Sequence, residues 1–382
     1  MDVLKDLRDE IDSVDEQLSA LLEKRMEIVE KIGKTKLQNN LPVIHHNRAA
    51  LVVEKAVDRL QSPKYNGEIA QIFTNIVGVS EEMQQKMIIN ESKPQDCLYD
   101  ITAFAKPRKA FSKETKVVYQ GVPGSFAEAA LQQYFGKNTV SAQNVEEFED
   151  VFRSLNNKGA DYGVLPIENS QTGSIADVYD LFRKYRAFIV GEINLAATQN
   201  LLGIKGAKLS DIKTVYSHQQ GFLQSKEFLK KYKDIETVVM SNTAVSAQYI
   251  SEQNDISKGA IASARAAEKY GLDILAEAIN TDKNNTTRFI VVAQAPEIAD
   301  TSSKISMSFT LPNVSGALSR ILLIFAKNNL NMLKIESRPI ANKNFEYFFY
   351  ADISGNIKEE KVKRALSEIS LATSYFEVLG NY

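Results

Sequence analysis

One cysteine, Cys97, stands in 382 residues, which excludes a disulfide framework within the chain and suits a reducing compartment. No apolar run approaches the ~20 residues that cross a bilayer. Ile321-Leu322-Leu323-Ile324-Phe325-Ala326 is among the longest, so no membrane span is expected. The N-terminus, Met1-Asp2-Val3-Leu4-Lys5-Asp6, is charged and carries no apolar export segment, so a cytoplasmic location is expected. A basic excess is also missing. The formal net charge of -2 offers no field for nucleic acid, and small-molecule partners are expected instead. Gly121-Val122-Pro123-Gly124 lacks the third glycine of a dinucleotide fingerprint, and no acidic residue is suitably placed after a second strand. His45-His46 has no carboxylate or cysteine at ligand spacing, so no metal site is expected. What is present is 44% hydrophobic and 25% charged residues, the composition of a soluble globular protein of two or three domains.

Residues 1–90 read as helices. Leu7, Ile11, Val14, Leu18, Leu21, Ile28 and Ile32 recur at intervals of three and four, the seam of a long helix packed against another. Arg25 stands where that seam requires an apolar residue, and a buried cation is costly unless an anion meets it. Lys36 follows about three turns later and nearly in phase with it, so the two can close on one ligand. Arg8 is out of phase and points to a partner helix or second subunit. A second helix begins near Asn47, and a third, Ile69 to Met87, carries Ser80 and Gln84 on one face. Residues 91–115 mix Pro94, Pro107, Lys and Ser without periodicity and read as a linker.

From 116 to 296 strands alternate with helices, and each junction is a polar turn: Gly121-Val-Pro-Gly124-Ser125, Glu168-Asn169-Ser170-Gln171-Thr172, Ser217-His218, Ser241-Asn242-Thr243 and Ser263. Parallel sheets are expected, with ligands at the strands' carboxyl ends. Helix N-termini there can hold an anion with few basic side chains. Asn284-Asn285-Thr286-Thr287-Arg288-Phe289 runs into the apolar strand Ile290-Val291-Val292-Ala293. Polar groups at such a mouth need partners or a ligand. Arg288 either makes a structural ion pair or stays in reach of a ligand. Residues 302–382 read as βαββαβ, a ferredoxin-like plan with no function implied by the fold alone.

Three resemblances follow from these residues. The first ninety residues are similar to the all-helical chorismate mutase domain, an intertwined dimer. The resemblance implies that Arg8, Arg25, Lys36, Arg48, Ser80 and Gln84 hold the chorismate dianion and its ether oxygen. That family usually has a glutamate where this chain has Ala49 and commonly an aspartate at His45, so an impaired mutase is expected. Gly121-Val-Pro-Gly-Ser-Phe, Pro166-Ile-Glu-Asn-Ser170, Ser217-His218 and Thr287-Arg288-Phe289 closely resemble prephenate dehydratase. This implies two α/β lobes, similar to a type II solute-binding protein, that convert prephenate to phenylpyruvate without a cofactor. By the family pattern Thr287 serves the departing hydroxyl, with Arg288 and Asn169 beside it. Gly124, Ser125, Glu168, Ser170, Thr172, Ser217, His218 and Phe289 are expected to contact substrate.

Gly316-Ala317-Leu318 at a helix start and Glu336-Ser337-Arg338-Pro339 after a strand resemble the ACT regulatory domain. Those residues, with Asn313, are expected to bind phenylalanine between paired domains. The expected architecture is therefore multidomain: an all-α mutase-type domain, a two-lobed α/β domain and an α+β ferredoxin-like domain. The expected function is a bifunctional enzyme of phenylalanine biosynthesis, a homodimer or larger, inhibited by phenylalanine. The alternatives are a dehydratase with a vestigial mutase domain, and a solute-binding or amino-acid-sensing module without chemistry.

Overall fold

The computed structural model describes residues 2–39, 41, 46–91, 101–103, 105–108, 110–313, 316–340 and 346–382. It divides into two units. One comprises Met1–Tyr99, Leu311–Asn329 and Glu360–Tyr375, and the other Asp100–Thr310, Leu330–Glu359 and Phe376–Tyr382.

The first unit opens with three helices, α1 (Asp2–Gln38), α2 (His46–Asp58) and α3 (Asn66–Glu91). The apolar seam of α1 is left uncovered among the described residues. Leu7, Ile11, Val14, Leu18, Leu21, Ile28 and Ile32 are all exposed. A neighbouring face, with Val29 buried, packs against α3. The reason is Gly33: a Cβ there would lie 2.9 Å from Met87 Sδ and 3.1 Å from Gln84 Cγ. A bare backbone lets the helices approach more closely than the larger seam residues would. His45 lies outside the described residues.

The second unit begins before its first strand. Part of the expected linker is anchored: Lys106 N donates to Pro296 O at 2.8 Å, and Phe111 stacks edge-on against Phe135 and Tyr162. The first lobe follows, with β1 (Lys116–Gln120), α4 (Phe126–Phe135), β2 (Ser141–Val145), α5 (Phe148–Asn156), β3 (Tyr162–Asn169), β4 (Gly173–Ser174), α6 (Ala176–Lys184) and β5 (Phe188–Ala196). The second lobe holds β6 (Asn200–Gly203), β7 (Thr214–Ser217), α7 (Gln219–Gln224), α8 (Lys226–Leu229), β8 (Glu236–Val239), α9 (Thr243–Gln253), β9 (Lys258–Ala262), α10 (Ala264–Tyr270) and β10 (Asp273–Ala276). The chain then returns to the first lobe as β11 (Thr286–Ala293). The sheet orders are β2-β1-β3-β11-β5, with β4 beside β3, and β10-β6-β9-β7-β8.

The sheets are mixed rather than parallel as expected. Strand β11 runs antiparallel between β3 and β5, and β6 runs antiparallel to β9 and β10. A strand returning from an inserted lobe enters the sheet from the hinge side, opposite to strands that leave toward it. The two crossings are bonded to each other: Ala197 N donates to Asn285 O at 2.9 Å, and Asn280 Nδ2 to Ala197 O at 2.9 Å.

Strands β12 (Lys304–Thr310), β13 (Met332–Pro339), β14 (Tyr347–Ser354) and β15 (Tyr375–Asn381) form a third sheet in the order β13-β14-β12-β15, that of a ferredoxin-like fold. Tyr350 and Leu379 join the core of the first lobe beside Val178, Tyr179 and Ile290, and Tyr350 Oη donates to Tyr179 O at 2.9 Å. The connecting helices α11 (Ala317–Lys327) and α12 (Glu360–Ala372) belong to the first unit. There they pack on each other, and α12 also packs on α3. Among the described residues no helix is long and apolar enough to cross a membrane.

Candidate active site

Because β11 is antiparallel, its first residues lie at the carboxyl end of β3, and Thr287 is the cross-strand partner of Asn169. Asn169 is 8% exposed, so its amide must be satisfied internally. Its Nδ2 donates to Asn285 Oδ1 at 2.7 Å and to Thr287 Oγ1 at 2.9 Å. Its Oδ1 accepts from Gln171 N at 3.0 Å and Thr172 N at 3.2 Å. One residue thus fixes both the hydroxyl of Thr287 and the turn that follows β3. With Asn169 donating to Oγ1, the Thr287 hydroxyl keeps its own proton for another acceptor.

Ser170 closes the same corner, accepting from Thr286 N at 2.9 Å and donating to Asn284 O at 3.3 Å. Thr172 is exposed on the turn. Asn285, which the expected site residues did not include, is 2% exposed and donates to Ala197 O at 3.3 Å, tying the site to the hinge.

Arg288 points away from Thr287, as strand alternation requires. Its guanidinium meets Asp352 Oδ2 at 2.7 Å, Glu168 Oε2 at 3.4 Å and Glu192 Oε2 at 3.5 Å. Burial would lower its pKa, but Asp352 and Glu192 outweigh burial and raise it. Of the two roles expected for Arg288, these contacts are those of a brace. Glu168 faces the same side and also meets Lys334 Nζ of β13 at 3.0 Å, so it does not stand with Asn169. A signal for this cluster was present in Asp352, a lone carboxylate in the apolar strand β14 that demands a buried partner.

Other expected contacts are committed elsewhere. Phe289 is 2% exposed in the core formed with Val164, Val190 and Leu131, because the alternation that aims Thr287 outward at the strand mouth carries Phe289 under α4. Gly124 N donates to Glu128 Oε2 at 2.7 Å, and Ser125 Oγ accepts from Glu128 N at 3.4 Å. Gly124 O accepts from Ser263 Oγ at 3.2 Å, so this turn joins the lobes. Ser217 is fully buried and donates to Ile261 O at 2.8 Å. His218 caps α7, with Nδ1 accepting from Gln220 N at 3.2 Å. The described contacts of both stay within the second lobe.

In the first unit, Arg25 on α1 donates to Ser80 Oγ on α3, and Ser80 Oγ donates on to Ile76 O at 2.6 Å. Gln84, 6% exposed, lies one turn beyond, and its Oε1 has no hydrogen-bond partner among the described residues. Burial lowers the pKa of Arg25. Burial also lowers that of Lys36, against the opposing charge of Glu81. An anion between these cations would offset that desolvation. Arg8 and Arg48 are exposed, and Ala49 is half-buried on α2.

The residues expected to bind phenylalanine divide between the units. Gly316, with φ 80°, precedes Ala317 and Leu318 at the start of α11, and Asn313 is exposed. Glu336, Ser337, Arg338 and Pro339 end β13. Glu336 accepts from Ser174 Oγ at 2.7 Å, and Arg338 Nη2 pairs with Asp180 at 2.9 Å.

Comparison with known proteins gives three matches along the chain. Family models match as chorismate mutase type II over residues 7–85, prephenate dehydratase over 117–297 and ACT domain over 305–370. A bifunctional chorismate mutase/prephenate dehydratase of Aquifex aeolicus (strain VF5) is 33% identical, covering 100% of this chain and 98% of its own. That of Buchnera aphidicola subsp. Acyrthosiphon pisum (strain APS) is 32% identical over 98% and 95%. Among solved structures, prephenate dehydratase from Arthrobacter aurescens in complex with L-Phe superposes with a TM-score of 0.65 at 28% identity, covering 70% of this chain and 90% of that one.

Proposed function

The chain belongs to the family of bifunctional chorismate mutase/prephenate dehydratases, and from that premise we propose how its residues divide the work. It is an enzyme of phenylalanine biosynthesis that rearranges chorismate to prephenate and converts prephenate to phenylpyruvate, with feedback by phenylalanine through the C-terminal domain.

For the dehydratase we assign Thr287 to the departing ring hydroxyl. The bond from ring to carboxylate breaks, its electron pair enters the ring, and the ring C–O bond breaks with its pair on oxygen. Carbon dioxide leaves, and the oxygen departs as hydroxide, which takes a proton from solvent to become water. A hydrogen bond from Thr287 stabilises the charge that develops on that oxygen, and aromatisation drives the step. The observation that carries the assignment is the 2.9 Å bond from Asn169 to Thr287 Oγ1, which aims the hydroxyl proton outward. Asn169, Ser170 and Asn285 position the site, Thr172 and His218 supply polar contacts to substrate, and Arg288 and Glu168 brace it from behind.

For the mutase we assign Lys36 and Arg25 to the substrate's anionic groups and ether oxygen, with Ser80, Gln84, Arg8 and Arg48. A pericyclic rearrangement needs only a folded substrate and positive charge at the breaking C–O bond. The exposed seam of α1 supports a homodimer in which a second copy covers it, and a chain sedimenting as a monomer at micromolar concentration would contradict this. Phenylalanine is assigned to Asn313 and Gly316 to Leu318 with Glu336 to Pro339 of paired domains. We place the protein in the cytoplasm, in keeping with its single cysteine and checked by cell fractionation. The decisive assay incubates purified protein with prephenate and follows phenylpyruvate, then repeats with chorismate. No phenylpyruvate from prephenate would refute the reading.

A further inference from the structure

Ser80 and Gln84 leave one more α3 side chain close to the mutase site assigned above: Glu81, on the turn between them, whose carboxylate is 12% exposed. A carboxylate beside a pocket that must accept a dianion works against that pocket. It repels the substrate and offers the pocket's cations an internal partner. Lys36 feels this carboxylate, whose charge opposes the effect of burial on the lysine's pKa.

The group that answers Glu81 comes from far along the chain. Arg320 Nη2, on α11, donates to Glu81 Oε2 at 2.7 Å, and the arginine side chain is only 33% exposed. Helix α11 is the one that begins at Gly316, inside the region matched as an ACT domain. The packing of α12 on α3 and on α11 holds the two ends of the ion pair together.

We propose that Arg320 is a positioning residue of the mutase: by pairing with Glu81 it draws that carboxylate off the N-terminal pocket, leaving the pocket's cations for the substrate. The C-terminal domain thereby contributes a charge on which the N-terminal activity depends. This inference rests on the assignment of Arg25, Lys36, Ser80 and Gln84 to the mutase site.

The repulsion acts on the dianion in its ground and transition states alike, so the loss appears in KM rather than kcat. In the full-length protein, Arg320→Ala is expected to raise the mutase KM for chorismate about fivefold or more with kcat within about twofold, and to leave prephenate turnover unchanged. Raising the salt concentration shrinks the defect by screening. Glu81→Gln alone keeps wild-type KM, and Glu81→Gln added to Arg320→Ala restores it. Arg320→Lys, which keeps the charge, retains most of the affinity, and thermal melts of each variant report whether it is folded.

An unchanged KM in folded Arg320→Ala overturns the proposal. So does a double variant as impaired as the single one, which would make the contact one of packing. The underlying site is tested separately by Arg25→Ala: wild-type mutase kinetics in that variant refute the site assignment itself, whatever Arg320 does.

Discussion

Asn169 donates its side-chain amide to the hydroxyl of Thr287 across 2.9 Å, while the same nitrogen holds Asn285 Oδ1 at 2.7 Å. The second bond means that removing the threonine hydroxyl does not orphan the asparagine. Thr287→Ala should therefore fold normally. Loss of one donor to a developing oxyanion typically costs about a hundred- to a thousandfold in kcat, and a loss of that order is expected for prephenate turnover, with chorismate turnover intact. Thr287→Ser should recover much of the rate. Equal loss of both activities in a folded protein would count against the assignment.

Lys334 of β13 reaches back to the hairpin that carries Asn169, with Ser174 Oγ at 2.8 Å and Glu168 Oε2 at 3.0 Å. A regulatory signal needs a differential of roughly 1–3 kcal/mol between states, and two such polar contacts are of that size. Lys334→Met should blunt inhibition when phenylalanine is titrated against dehydratase activity, with the uninhibited rate within about threefold of wild type. An unaltered inhibition curve would exclude this route.

Arg288 is the counter-charge to Asp352, Glu168 and Glu192, and its side chain is 14% exposed. Breaking a buried pair by removing one partner costs about 3–5 kcal/mol. Arg288→Met should lower the melting temperature of the central transition by on the order of 10 °C. Adding Asp352→Asn should cost less than the sum of the two single changes, because both touch one network. Calorimetry of the three variants checks this. Unaltered melting in Arg288→Met would show that the brace is dispensable.

Ala49 stands where the family usually has a glutamate that accepts the substrate hydroxyl. An additional hydrogen bond to bound substrate is worth roughly 1–3 kcal/mol, so Ala49→Glu should raise mutase kcat/KM by about tenfold or more. Steady-state kinetics with chorismate decide it, and an unchanged value would mean that the mutase is not impaired at this position.

The helical N-terminus, the α/β centre and the ferredoxin-like C-terminus could all be read from the sequence, since each rests on periodicity and turn chemistry along one segment, whereas the two lobes of the centre came from the family resemblance. The geometry between segments could not. Counting alternately along β3 from Leu165 and Ile167, both in the core with α5 and α6, places Asn169 on that same face. The register shift opposite Arg288 and Phe289, where Glu168 and Pro166 are successive partners, leaves Ile167 as an extra residue and reverses the phase. That bulge unites Asn169 with Thr287 and sends Glu168 to Arg288. No local propensity marks it. Four of the five polar turns are the helix starts they read as, capped by Ser125, His218, Asn242 and Ser263, while the Glu168 to Thr172 turn leads into β4. A group that consumes one of their donors, Ile261 O at Ser217, comes from another element, β9. Gly33 likewise gave no sign that it, rather than the larger seam residues, would set the contact of α1 with α3.

The second lobe is spliced into the first between β5 and β11, and β11 lies in the interior of the first sheet. A nascent chain therefore has β1, β2, β3 and β5 in hand while the place between β3 and β5 stands vacant. Closing that gap is a long-range event, slow in proportion to the entropy of the intervening loop. Compaction of the inserted lobe shortens the effective span, since its ends meet at Ala197 and Asn285. Maturation of the central fold must then run from the inside of the sequence outward, with Thr287 among the last residues of that sheet to arrive.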